Sequence, residues 1–192
     1  MAAPSGEQLS SVPSMVYLGS VIHHDGKYSA ELARRIGAAA ADFKLLSTVW
    51  RHSTLAASRK LHIFDAVVVS KLRYCTASAW LSKGCLRKLD GFHCSCLRKI
   101  LGIKASYISR VSNDRVRARA ERRKLSWEIR RSQLALFGKV LFDTDKAILK
   151  EVTFCADSLT PLTNAWVRRV GRPRDEWTNQ LLKISQRLAG SM

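Results

Sequence analysis

The sequence predicts a mainly α fold: a helical bundle preceded by a short β-hairpin. Three observations carry this reading. Pro occurs only at 4, 13, 161 and 173, so residues 14–160 contain none, and Pro is what most often stops a helix. Apolar residues recur at three- and four-residue spacing through most of that stretch. Ahead of it, Met15-Val16-Tyr17-Leu18-Gly19-Ser20-Val21-Ile22 is β-prone and is followed by the turn signal Asp25-Gly26.

The elements follow in order. A first helix capped by Ser29 shows Ala33, Ile36, Gly37, Ala40, Phe43, Ser47 and Trp50 along one face. A second, over 55–80, is apolar on more than one side (Leu61, Ile63, Phe64, Val67, Val68, Leu72) and belongs in the middle of the bundle. A third, capped by Ser82, carries the stripe Leu86, Leu89, His93, Cys96, Leu97, Ile100 and Leu101, with Gly102 as its stop. On its other side Arg87 and Arg98, like Lys88 and Lys99, are eleven residues apart, which is about three turns and about 16 Å along one face.

Ser112 caps a fourth helix through Arg115, Arg117, Arg119, Arg122, Arg123 and Lys124, whose apolar face is only Val116 and Ala120 before Leu125. A fifth, over 126–141, presents Ile129, Leu134, Phe137 and Leu141. Residues 152–166, with Thr160-Pro161, read as a loop, and a terminal helix over 175–188 carries Trp177, Leu181, Leu182 and Leu188. The organisation expected is a disordered N-terminus at 1–14, a hairpin at 15–26, a basic helical domain at 27–151, and a loop with a C-terminal helix at 152–192.

Charge is the loudest signal. The 192 residues include 33 Lys plus Arg against 15 Asp plus Glu, a formal net charge of +18. The net is −1 over residues 1–28, +10 over 29–109, +7 over 110–142 and +2 over 143–192. A tail would concentrate charge at an end; this charge belongs to the folded body. It favours a polyanion, because each phosphate neutralised releases condensed counterions. From Arg115 through Arg130, seven basic residues meet only Glu121 and Glu128. That imbalance favours nucleic acid over a solvated face, and Val116 with Ala120 is too thin a stripe for a membrane surface.

Several classes fall away. A hydrophobic fraction of 46% is near the globular average and argues against disorder of the whole chain. No segment approaches the ~18 consecutive apolar residues of a membrane-spanning helix. Met1 to Met15 reads as neither secretory signal nor transit peptide. Five cysteines without a CxxC pair read as reduced thiols of an intracellular protein, nuclear or cytoplasmic and not secreted.

No catalytic pattern emerges. Two-metal polymerases and nucleases need grouped carboxylates, and here the acids are scattered; Asp143 and Asp145 have no supporting context. Phosphate-loop, nucleophile-elbow, zinc-protease and dinucleotide patterns are absent. Cys85, His93, Cys94 and Cys96 lie close in sequence, but Cys94 and Cys96 on a helix point about 200° apart, so His93 and Cys96 read as core and no metal or cofactor is expected. Val170-Gly171-Arg172-Pro173-Arg174 is near a minor-groove hook, with Val170 where its first Arg belongs; Pro173 as a helix-entry residue accounts for it better.

Taken in order, several segments resemble the region after the catalytic palm in LINE-type (non-LTR) retrotransposon reverse transcriptases. They are Tyr17-Leu18-Gly19-Ser20 with Ile22 and Asp25-Gly26, Arg35-Ile36, Trp50, Lys60-Leu61 and Ser70-Lys71-Leu72-Arg73-Tyr74. Next come Leu89-Asp90-Gly91-Phe92-His93, the run Cys96 to Ile103, Leu136-Phe137-Gly138-Lys139-Val140, and Gly171-Arg172-Pro173-Arg174 with Trp177. The resemblance covers about residues 15–183. It implies that Tyr17, Leu18 and Gly19 are a primer-grip remnant and that the helices are a thumb holding a template–primer duplex. Arg87, Lys88, Arg98, Lys99, Arg115, Arg119, Arg122, Arg123 and Arg130 would then meet its phosphates.

The departures are specific. Cys75 follows Tyr74 where Gly is usual, and Ser78-Ala79 replaces a Glu common before Trp80. The family's catalytic aspartates belong to a preceding palm, which the residues before Met15 do not encode. The expectation is a binding fragment without catalysis of its own, with RNA, DNA or RNA–DNA duplex as partner. The competing expectations are a subunit completed by a separate palm-bearing reverse transcriptase chain and a basic module for an acidic protein.

Overall fold

The computed structural model describes residues 12–24, 26–52, 54–142, 147–155 and 177–190. Most of the sequence-predicted N-terminal tail, Asp25, Asp143, Asp145, the Thr160-Pro161 loop and the Gly171–Arg174 segment lie outside the described residues. The fold is mainly helical with a two-stranded antiparallel hairpin at its N-terminal end.

Strands β1 (Ser14–Tyr17) and β2 (Ser20–His23) pair in the register Ser14 with His23 and Tyr17 with Ser20. The turn is Leu18-Gly19, both at positive φ (47° and 74°), which is the type I′ geometry that matches strand twist. The sequence places the turn signal at Asp25-Gly26, and the structure moves it. The Leu-Gly pair closes the hairpin even though Leu bears steric strain at positive φ.

Helix α1 (Ser29–Leu45) buries Glu31, Leu32, Arg35, Ala39 and Phe43. The expected face is thus rotated: Ala33, Gly37 and Ala40 are exposed, because the pair Glu31 and Arg35 turns inward beneath the hairpin. Ser29 is not the cap; that position is Tyr28, with no side-chain capping bond. Trp50 sits in a separate short helix α2 (Ser47–Arg51), where its indole donates to the Phe43 carbonyl at 2.8 Å.

The second helical run is α3 (Ala57–Phe64), a π-turn over Asp65–Val69, and α4 (Ser70–Arg73). It ends seven residues earlier than the sequence predicts, at Arg73 rather than at 80. The π-turn adds a residue to the helical repeat, and Phe64, Val68, Val69 and Leu72 are all buried around it.

Helix α5 (Lys83–Ile100) matches its prediction at both ends. Ser82 Oγ accepts from the Cys85 amide at 3.2 Å. At the other end Gly102 has φ 67°, the Ile103 amide reaches the Arg98 carbonyl at 2.8 Å and the Gly102 amide that of Lys99 at 3.4 Å, a Schellman stop. After the single turn α6 (Ser106–Ser109) comes α7 (Asn113–Ala120), capped by Ser112 Oγ on the Arg115 amide at 3.3 Å.

Helix α7 stops at Ala120, so Arg122, Arg123 and Lys124 are not helical as expected. Glu121 adopts the left-handed conformation (φ 52°) and bends the chain into α8 (Leu125–Phe142). Asp90 of α5 caps α8 from across the bundle, accepting from the Ser126 amide at 2.9 Å and its hydroxyl at 2.7 Å. Helix α9 (Ala147–Thr153) has no counterpart among the sequence-predicted elements, and it takes Val152 and Thr153, the start of the expected loop, into a helix. Helix α10 (Trp177–Ala189) follows its prediction within the described residues.

The main core gathers Leu32, Phe43, Trp50, Phe64, Leu72, Leu89, Leu97, Val116 and Ile129. A second, smaller cluster joins Phe137 and Val140 of α8 to Phe154 and Leu181. Helix α8 is therefore the shared spine, its first half in one core and its second half in the other. Gln133 at the junction is buried and donates to the Thr76 and Ala79 carbonyls at 3.1 and 2.8 Å, giving the irregular segment after α4 a place to end its backbone bonds. Among the described residues, no helix is long and apolar enough to cross a membrane.

Candidate nucleic-acid interface

Three groups of the expected site residues must be separated by what holds them. The first is the hairpin tip. Tyr17 and Leu18 are 56% and 74% exposed. The tip is fixed through its backbone: the Gly19 carbonyl accepts from Arg34 at 2.7 Å and Arg35 at 3.3 Å, and the Leu18 carbonyl from the Tyr74 hydroxyl at 2.9 Å. The Arg35 guanidinium lies 4.8 Å from the centre of the Tyr74 ring. An isolated two-stranded hairpin is marginal in water, and this one stands because α1 and the end of α4 grip it.

The second group has turned inward. Arg98 is only 7% exposed and donates to the Lys104 carbonyl at 3.3 Å, the Val111 carbonyl at 2.6 Å and Asn113 Oδ1 at 2.9 Å. It ties the 104–113 segment to α5 and is not on the phosphate-facing surface expected of it. Arg122 pairs with Asp65 at 2.8 Å, and Arg130, half-buried, donates to Gln180 at 2.6 Å. Burial lowers the Arg130 pKa from its usual range. These three are structural in the first instance: fixed acceptors from other elements decide their positions.

The third group remains outward. Arg87, Lys88 and Lys99 on α5, Arg115 and Arg119 on α7, and Arg123 after it are exposed. Arg115 and Arg119 are four residues apart and share a face of α7, which packs on α5. Of the neighbouring carboxylates, Asp90 is engaged by Ser126, Asp114 by Arg117, Asp65 by Arg122 and Glu128 by Arg73, while Glu121, exposed at the bend, is in none of these pairs. Among the described residues, no ion pair engages the outward cations of this group.

Sequence spacing missed part of the basic surface. Arg73, Arg122, Arg123, Trp127, Glu128 and Arg131 line a cleft of about 540 Å³ where α4, the Glu121 bend and α8 meet. The Arg123 guanidinium lies 4.3 Å from the centre of the Trp127 ring and that of Arg131 6.0 Å. The signal was present as Arg123, Trp127 and Arg131 at successive four-residue steps, but Arg73 arrives from 54 residues earlier through the fold.

The thiols and histidine near α5 are core groups. Cys94 accepts from Arg117 at 3.0 Å, and burial pushes the Cys96 thiol up to about 12. His93 stacks on Phe64 with ring centres 5.6 Å apart. Among the described residues, no three His, Cys, Asp or Glu side chains converge as ligands of a metal ion would. No protein-family model, curated protein or solved structure matches this chain.

Proposed function

We propose that this chain is a nucleic-acid-binding helical module related to the thumb of LINE-type reverse transcriptases, gripping the phosphates of an RNA, DNA or RNA–DNA duplex and making no bonds on its own. The observation that carries the reading is the outward set Arg87, Lys88, Lys99, Arg115, Arg119 and Arg123, exposed and in no ion pair among the described residues. Unneutralised cations on adjoining helices are what a phosphate backbone attracts. The family relation draws support from a second fact. Segments that carry the resemblance touch in space: Gly19 meets Arg35, Leu18 meets Tyr74, and Arg35 donates to the Lys71 carbonyl at 3.1 Å. Cys75, where that family usually has Gly, has φ 55°, a conformation that favours Gly.

The test is an anisotropy titration of a duplex over a range of salt. Wild type should lose affinity steeply with salt, and replacing Arg87, Arg119 and Arg123 together by Glu should weaken binding on the order of a hundredfold with helix content unchanged. Unaltered binding by that variant rejects the assignment.

One observation favours the reading of a subunit completed by a palm-bearing chain. Met15, Val16, Tyr17, Leu18 and Ile22 are each more than half exposed, a concentration of apolar surface on one small hairpin. Under that reading, adding a palm-bearing reverse transcriptase chain with Mg²⁺ and a primed template yields extension that neither chain gives alone.

A further inference from the structure

We infer that the cleft around Trp127 is a stacking site for an unpaired nucleobase, so that the module holds a single-stranded extension beside the duplex it grips. The inference rests on the nucleic-acid reading above and adds a site to it.

Trp127 is 43% exposed and lines the cleft. A Trp on the surface of a helix usually finds apolar cover; this one instead has Arg123 over its ring at 4.3 Å and Arg131 near it at 6.0 Å. An exposed indole and the guanidinium beside it offer flat, polarisable surface to a base, whose π-face is common to all four nucleotides. The cleft volume of about 540 Å³ falls within the roughly 300–1,000 Å³ typical of ligand clefts.

The acids in the cleft discriminate between a base and a bare phosphate. Glu121 and Glu128 line it beside the arginines. Carboxylates repel phosphate, whereas they accept hydrogen bonds from the amino groups on base edges. Glu128 is held toward Arg73 at 3.4 Å, and Ser132 adds a hydroxyl that donates and accepts. Arg131 has no carboxylate partner among the described residues and can take the phosphate next to the stacked base. Duplex bases are stacked on each other already, so only an unpaired nucleotide offers its face.

The experiment compares a blunt RNA–DNA hybrid, the same hybrid with a short single-stranded overhang, and the same overhang made abasic. Wild type should bind the intact overhang on the order of tenfold more tightly than the other two. Trp127→Ala should erase that preference, while Trp127→Phe, which keeps an aromatic face, retains most of it; blunt-hybrid affinity and its salt dependence stay within about twofold. Equal binding of intact and abasic overhangs by wild type, or a preference that survives Trp127→Ala, overturns the stacking site and leaves duplex binding standing. Failure of wild type to bind any of the three overturns both readings.

Discussion

The backbone amide of Val21 donates to Glu31 Oε2 at 3.0 Å, so a carboxylate buried in α1 holds the second strand of the hairpin. The same carboxylate takes Arg34 at 2.8 Å and Arg35 at 2.5 Å and lies 3.3 Å from the Ser20 hydroxyl, which donates to it. Burial opposes its ionisation, but the hydrogen bonds from Arg34 and Val21 outweigh that and hold its pKa below the usual range. One group thus ties the hairpin to the bundle.

Glu31→Gln leaves the shape and removes the charge, stranding Arg35 under the hairpin. Breaking a buried pair in this way costs about 3 kcal/mol. Urea unfolding should show that loss, and amide exchange should accelerate at Val21 first. A variant as stable as wild type, with Val21 still protected, would contradict the tie.

Arg98 and Arg87, eleven residues apart on α5, should behave oppositely. Arg98→Ala leaves the Val111 carbonyl and Asn113 Oδ1 without their donor, the Lys104 carbonyl keeping the Ser109 hydroxyl, and should destabilise the fold by about 2–3 kcal/mol, with duplex affinity of the folded protein changed little. Arg87→Ala should leave the melting temperature within a degree or two and weaken duplex binding several-fold. Thermal melts and anisotropy on the two variants separate the roles.

Glu121 and Cys75 stand at φ 52° and 55°, where a Cβ is strained. Glu121→Gly and Cys75→Gly relieve that strain against a greater loss of unfolded-chain entropy, for a net gain of about 0.5–1 kcal/mol each. Denaturant midpoints should move up. A fall in both would show that the side chains contribute more than the backbone strain removes.

His93 is 3% exposed and its pKa is pushed down to about 4, first by burial, with Asp65 and Asp90 opposing and Arg117 and Arg122 assisting. The unfolded chain, with its His near 6.5, binds the proton more readily than the fold does. Stability is therefore complete above about pH 6.5 and declines as pH falls toward 4, by roughly 3 kcal/mol. Glu31, whose pKa is lowered, starts to lose its contribution only as pH falls through the ordinary carboxylate pKa, so the decline from about pH 6.5 to about 5 is left to His93. His93→Phe, stacking on Phe64 in the same place, should flatten the unfolding profile between pH 6.5 and 4.5; an unchanged profile there would exclude His93 as its source.

Local chemistry made much of the fold legible. Ser82, Ser112 and Gly102 mark helix ends because a cap needs only atoms within a few residues of itself. The expected face of α5 is the buried one because large apolar residues dominate it. The face of α1 is not legible in the sequence for the converse reason. Its small residues carry little apolar weight, and the inward turn of Arg35 depends on Gly19 and Lys71, neither of which is a helical neighbour.

From sequence alone came the helical class, the hairpin, and the position of the charge excess in the body of the chain, since periodicity, capping and composition act locally or by simple counting. Tertiary structure alone decided which of those cations face outward. Arg98, Arg122 and Arg130 look on paper like Arg87, Arg119 and Arg123, but their partners Val111, Asp65 and Gln180 come from other elements. A long flexible guanidinium goes to whatever acceptor the fold brings within reach. Only packing supplies that acceptor, and the same packing brings Arg73 to the cleft beside Trp127.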